Sequence, residues 1–153
     1  MRVLACALLA FGLAHAVAAS AAEPQTVGLA EEKLQREIPR MQMTVREHQY
    51  TITLANTQAA RAFASSMPLT LEMTDLNSNE KYTDLALSLP TDASAPGTIN
   101  AGDVMLYGTK TLVVFYKTFK TPYSYTRIGK IDNPDGLAQV LGDGNVRMDF
   151  FAH

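Results

Sequence analysis

Arg127 lies in a largely apolar stretch, two residues after Tyr125 and two before Gly129. A guanidinium in such surroundings needs a partner, and its planar fork matches the two oxygens of a carboxylate. Arg127 could therefore clamp a carboxylate ligand, pair with Glu72 or Glu80, or stack on a neighbouring tyrosine. A second group of polar residues is the turn-like segment Asp75-Leu76-Asn77-Ser78-Asn79-Glu80-Lys81-Tyr82. Asn77, Asn79, Glu80 and Lys81 could aim donors and acceptors at a ligand from the rim of a scaffold, where sites are commonly built. The plainer reading is a turn whose Asn and Asp side chains bond their own backbone, with Glu80 and Lys81 in water. The tyrosines Tyr82, Tyr107, Tyr116, Tyr123 and Tyr125 are numerous for this length. They could line a groove for a small organic ligand or an extended peptide, or they could sit in the core and at its rim with hydroxyls turned to water. Arg127, Tyr125, Tyr82, Tyr107 and Tyr116, with Asn77, Asn79 and Glu80, are the candidate ligand contacts.

Catalytic and metal chemistry find less support. Outside the first 22 residues the histidines are His48, in a hairpin-like turn, and His153, the last residue. A serine nucleophile needs a base held by a third group, and no G-x-S-x-G elbow is present. Two isolated histidines make no metal cluster, and the spacing in residues 75–82 does not fit a calcium loop. Gly142-Asp143-Gly144 lacks the strand-then-helix setting of a phosphate loop. No catalytic residue, metal ligand or cofactor is therefore assigned.

The N-terminus reads Met1-Arg2, then an apolar run from Val3 to Ala19 broken only by Gly12 and His15, then Ser20-Ala21-Ala22. A positive start, an apolar centre and small residues at the end are the parts of a cleavable secretory signal, expected to be cut after Ala21 or Ala22. A spanning helix wants about 20 strongly apolar residues, and this run is shorter and rich in alanine. The expected divisions are a signal at 1–22, a spacer at 23–39 and one domain at 40–153, working in the periplasm or outside the cell. Removing the signal leaves 131 residues, enough for a single core. It also removes Cys6, the chain's one cysteine, so neither disulfides nor thiolate chemistry are expected. Twelve basic residues then face fifteen acidic ones, a formal charge of −3. That balance argues against a nucleic-acid partner, which needs a basic surface. No later apolar run is long enough to span a membrane, and the residues specify no oligomeric state.

The period of the apolar residues predicts the elements. Met41, Met43 and Val45 alternate with polar residues, as do Tyr50, Ile52 and Leu54, which gives two strands. Asn56 or Thr57 can cap a helix that runs through Ala59–Ala64 and must stop at Pro68. Leu69, Leu71 and Met73 predict a third strand, and Leu85, Leu87 and Leu89 a fourth. Val104–Tyr107 and Leu112–Tyr116 are dense apolar runs, as expected of strands covered on both faces. Tyr125–Ile131 is a seventh strand. A second helix is expected over 132–142, with an Asx cap, Pro134 early and Gly142 past the end. Val146, Met148 and Phe150 complete an eighth strand. Eight strands can close into a barrel filled by its own side chains, which removes exposed sheet edges. The expected fold is thus mainly β: a closed eight-stranded barrel with two short helices.

This order of elements is similar to that of the cyclophilin fold, and four stretches resemble a bacterial cyclophilin-like domain family of uncharacterised proteins. They are MPLTLEMTDLNSNEKY (Met67–Tyr82), INAGDVMLYGTKTLVVFYKTF (Ile99–Phe119), YSYTRIGKI (Tyr123–Ile131) and GLAQVLGDGNVRMDF (Gly136–Phe150). The resemblance covers about residues 40–151 and implies a closed eight-stranded barrel capped by two helices. True prolyl isomerases of this fold carry an arginine, a phenylalanine–methionine pair and a glutamine along their third and fourth strands. Residues 69–89 here contain no arginine, phenylalanine or glutamine, and the chain has no tryptophan. The resemblance implies no particular activity, and these absences argue against prolyl isomerisation. The preferred reading of the candidate contacts is a non-catalytic module for a small ligand or peptide, with an isomerase of altered site as the alternative.

Overall fold

The computed structural model describes residues 39–153. The expected signal and all of the spacer except Pro39 lie outside the described residues. The strands β1 (Arg40–Val45) and β2 (His48–Leu54) form a hairpin whose inward residues Met41, Met43, Val45, Ile52 and Leu54 are buried. Arg46 takes a positive φ of 54° in its two-residue turn, a geometry that matches the twist of the paired strands. Helix α1 (Gln58–Ser65) follows. Thr57 is its N-cap, accepting the amide of Ala60 at 3.0 Å. Its apolar face buries Ala59, Ala60 and Phe63, and the Phe63 ring meets Phe150 edge-on at 5.6 Å.

Next come β3 (Leu69–Leu76) and β4 (Glu80–Asp84). Two-residue β5 (Thr98–Ile99) precedes β6 (Asp103–Tyr107) and β7 (Thr111–Phe115), which two-residue β8 (Phe119–Lys120) follows. The chain ends with β9 (Thr126–Ile131), helix α2 (Leu137–Leu141) and β10 (Val146–Ala152). Eight strands close a barrel in the order β1-β10-β3-β4-β7-β6-β9-β2, while β5 and β8 pair as a separate ribbon. Every barrel pairing is antiparallel. Among the described residues no helix is long and apolar enough to cross a membrane.

Two corrections to the expected elements follow from burial. The fourth strand is Glu80–Asp84, and residues 85–89 form an irregular segment. Leu85 and Leu89 are buried, with their amides bonded to the carbonyls of Lys110 and Thr109, but Leu87 between them is exposed. The alternation of leucines there marks two anchor points and not a sheet face. The second helix is also shorter than 132–142. Asn133 bonds the amide of Asp135 in a turn, and Gly136, at φ 75°, leads into α2.

Residue parity divides the packing into two cores. Val104, Leu106, Leu112 and Val114 point into the barrel with Met41, Met43, Met73, Met148 and Phe150. Met105, Val113 and Phe115 point outward, where they form a second cluster with Ile99 and Tyr125. The β5–β8 ribbon supplies Ile99 and Phe119 to this outer layer. Both faces of β6 and β7 are thus covered, as their unbroken apolar sequences predict.

Gly129 marks the tightest approach between strands. A Cβ there would lie 2.6 Å from the Thr53 carbonyl and 2.8 Å from Ile52 Cγ2, and the closed ladder leaves neither neighbour room to move. Gly129→Ala should destabilise the domain by about 1–3 kcal/mol through overpacking, read as a lower urea midpoint.

Candidate functional site

The polar turn between β3 and β4 places its residues on two sides of the sheet. Asn77 and Ser78 adopt positive φ values of 54° and 53°, and Asp75 Oδ2 accepts the Ser78 amide at 3.3 Å. Self-bonding of the turn, the plainer of the two sequence readings, is thus part of the structure. Lys81 departs from both readings. It pairs with Val114, whose side chain fills the barrel, and is completely buried. Its ammonium donates to Asp75 Oδ1, Gly142 O and Gly144 O, each at 2.7 Å. An ammonium has three donors, and all are used. Tyr116 completes the cluster: its hydroxyl donates to Asp75 Oδ1 at 2.6 Å, and its ring lies 5.4 Å from the Lys81 nitrogen. The Lys81 and Tyr116 hydrogen bonds hold the Asp75 carboxyl below the usual carboxylate range. Burial, with the Asp75 bond adding to it, pushes the Tyr116 hydroxyl far above its ordinary value.

Because Lys81 turns inward, Glu80 and Tyr82 turn outward. They meet a cleft of about 510 Å³ on the outer face of β4, β7 and β6. Val113 and Tyr82 lie along its barrel side, Asn77 and Asn79 at one end, and Phe119, Lys120, Thr121 and Tyr123 on the segment that follows β7. Tyr107 stands between Tyr123 and Tyr125, with ring centroids 6.2 and 5.7 Å away. Tyr125 in turn meets Phe115 edge-on at 5.5 Å. Leu76, Tyr107 and Tyr123, which line the cleft, are 41%, 48% and 58% exposed. They are three of the five large apolar side chains exposed among the described residues.

Glu80 is only 9% exposed, and among the described residues its carboxyl has no hydrogen-bond or ion-pair partner. Desolvation, and the negative charge of Asp75 behind it, raise its pKa above the ordinary value. Beside it, Asn79 Oδ1 is a buried acceptor with no partner. Burial likewise raises the Tyr125 hydroxyl. Among the described residues no group of three or more His, Cys, Asp or Glu side chains is placed to hold a metal ion.

The candidate contacts thus separate. Asn77, Asn79, Glu80, Tyr82, Tyr107 and Tyr125 converge on the cleft. Arg127 does not. It is exposed, and it makes no ion pair among the described residues, neither with Glu72 nor with Glu80. Its backbone carbonyl accepts the Thr57 hydroxyl at 2.8 Å, tying β9 to the cap of α1. Tyr116 also lies elsewhere, inside the barrel on Asp75. Tyr123, one of the tyrosines read as possible groove residues, lines the cleft too, and Leu76 and Phe119 line it without having been singled out. The signal for Phe119 and Tyr123 was their nearness to Tyr125 in a segment rich in aromatics.

A sequence model of the cyclophilin-like family matches residues 43–150, and the chain belongs to that family. The solution structure of a hypothetical protein from Archaeoglobus fulgidus is similar, with a TM-score of 0.57 at 18% identity. The match covers 76% of this chain and 95% of the archaeal one, and at that identity it speaks for the fold alone. No curated protein matches the chain in sequence.

Lys81→Met should cost about 3–5 kcal/mol, since it leaves the Asp75 carboxylate without its cationic partner and two carbonyls without their donor. Adding Asp75→Asn should recover part of that loss in urea unfolding. Glu80 gives a second expectation with the opposite sign. Its folded pKa is raised, so its contribution favours folding at low pH and is lost as pH rises through the elevated value. Glu80→Gln should therefore raise the melting temperature at neutral pH, and the gain should vanish below about pH 4, where the carboxyl is protonated in both states.

Proposed function

We propose that this cyclophilin-like domain is an exported, non-catalytic binding module that takes a small organic ligand or an extended peptide in the tyrosine-walled cleft. The observation that carries this reading is the convergence of exposed Leu76, Tyr107 and Tyr123 in one concavity of about 510 Å³ with Glu80, whose carboxyl has no partner among the described residues, and with Asn79, whose Oδ1 has none there either. Ligand sites are mostly apolar hollows of a few hundred to a thousand Å³ with a small number of placed polar groups, and this cleft has that make-up. The tyrosines offer large, rigid contact area at small entropic cost. Export rests on the N-terminal sequence, whose pattern is that of a secretory signal.

The isomerase alternative gains nothing from this geometry. Among the described residues the one basic side chain lining the cleft is Lys120, on the ribbon, and Arg127 is exposed elsewhere. An arginine set against the prolyl nitrogen is the feature such a mechanism calls for in this fold.

A fragment and peptide screen by two-dimensional NMR tests the proposal. Hits should shift the signals of Tyr82, Tyr107 and Tyr125 together. Tyr107→Ala should weaken them by about tenfold, in keeping with the loss of an aromatic contact, while Arg127→Ala should leave them unchanged. Hits that map to other faces, or that depend on Arg127, would overturn it. In a protease-coupled prolyl-peptide assay the protein should give no acceleration above the uncatalysed rate.

A further inference from the structure

We infer that the ligand enters this cleft by a cationic nitrogen group, an ammonium or guanidinium, seated on the Glu80 carboxyl between the tyrosines. The inference rests on the binding reading above and adds the chemical class of what binds. It starts from a missing donor. Glu80 is 9% exposed as a residue, a setting in which a carboxyl calls for hydrogen-bond donors or an opposite charge, and among the described residues its neighbours supply neither. Lys81, the adjacent residue, points to the other side of the sheet with all three of its N–H groups committed. Lys120 lines the cleft, yet it forms no ion pair with Glu80. The Tyr116 hydroxyl is spent on Asp75.

Asn79 Oδ1 adds a second acceptor without a partner at the same end of the cleft. Two acceptors on residues lining one cleft call for a group with several N–H donors. Guanidinium has five and ammonium three. The tyrosine faces strengthen the choice, since a cation over an aromatic ring is attracted by its quadrupole, more so where water is excluded. An anionic ligand would meet Glu80 and, behind it, Asp75. A purely apolar ligand would seal the carboxyl away from water with no donor at all, which is costlier than leaving the cleft open. A chain carrying the cation has room to run along Tyr107 and Tyr123, for about 510 Å³ far exceeds one charged head.

The experiment compares N-acetyl-arginine amide, N-acetyl-lysine amide and the neutral N-acetyl-citrulline amide, titrated into the protein by two-dimensional NMR. Citrulline keeps the shape and loses the charge. The arginine probe should bind at least about tenfold more tightly than citrulline, the step expected of a charge-assisted hydrogen bond. Glu80→Gln should erase that preference, with an otherwise unchanged spectrum showing that the fold is intact. Lys120→Ala should increase affinity for both cationic probes by removing a like charge from the rim. Equal binding of arginine and citrulline, with Tyr107→Ala weakening both, would overturn the cation inference and leave the cleft as a binding site. The inference also falls if no probe shifts cleft signals while the fragment screen gives hits there. If neither probes nor fragments reach the cleft, both readings fall together.

Discussion

Inside the barrel, the Lys81 ammonium is held by Asp75 of β3 and by the carbonyls of Gly142 and Gly144 ahead of β10. These bonds fix the pleat of β4. A strand sends successive side chains to opposite faces, and a slip of one residue would send Lys81 to water and Glu80 into the apolar interior. With Lys81 committed, Glu80 and Tyr82 have one side left to occupy, and that side is the cleft. The same cation ties the turn of β3 and β4 to the loop after α2. One buried ion pair therefore fixes both the closure of that part of the barrel and the outward presentation of the candidate site.

That arrangement also explains how much of the protein the sequence displays. The strands that bury one face show their period openly: Met41, Met43 and Val45, or Val146, Met148 and Phe150, are read directly as inward residues. The double covering of β6 and β7 is equally plain from Val104–Leu106 and Leu112–Phe115. The fourth strand is hidden, because its inward residue at the centre of the cluster is a lysine and its sequence Glu-Lys-Tyr-Thr-Asp looks like surface. The leucines at 85, 87 and 89 supply the alternation that β4 lacks, although two of them are anchors of an irregular segment.

The site was legible to the same partial degree. Asn77, Asn79 and Glu80 stand out as a polar turn, and the surplus of tyrosines points to a groove, so most of the converging residues can be named without coordinates. Arg127 was the misleading one. The apolar residues that follow it, Ile128 and Ile131, are buried in the main core, while Arg127 itself is exposed on the outer side of β9. Tyr116 misled for the opposite reason: it has the inward parity of Leu112 and Val114, and its hydroxyl answers Asp75 in place of a ligand. Charge alone could not show that Lys81 is spent internally and Glu80 is not, since that depends on which pleat each occupies.

The two walls of the cleft come from different kinds of structure. One consists of ladder residues such as Val113 and Tyr82, whose neighbours are locked into the barrel register. The other comes from the stretch after β7, where a two-residue ribbon and its flanking loop bring Phe119, Thr121 and Tyr123 to the opening. None of those three belongs to the main interior cluster. Substitution along that arm can therefore reshape the cleft while the scaffold beneath keeps its closure, so descendants of one barrel could diverge in the surface they present without first having to refold.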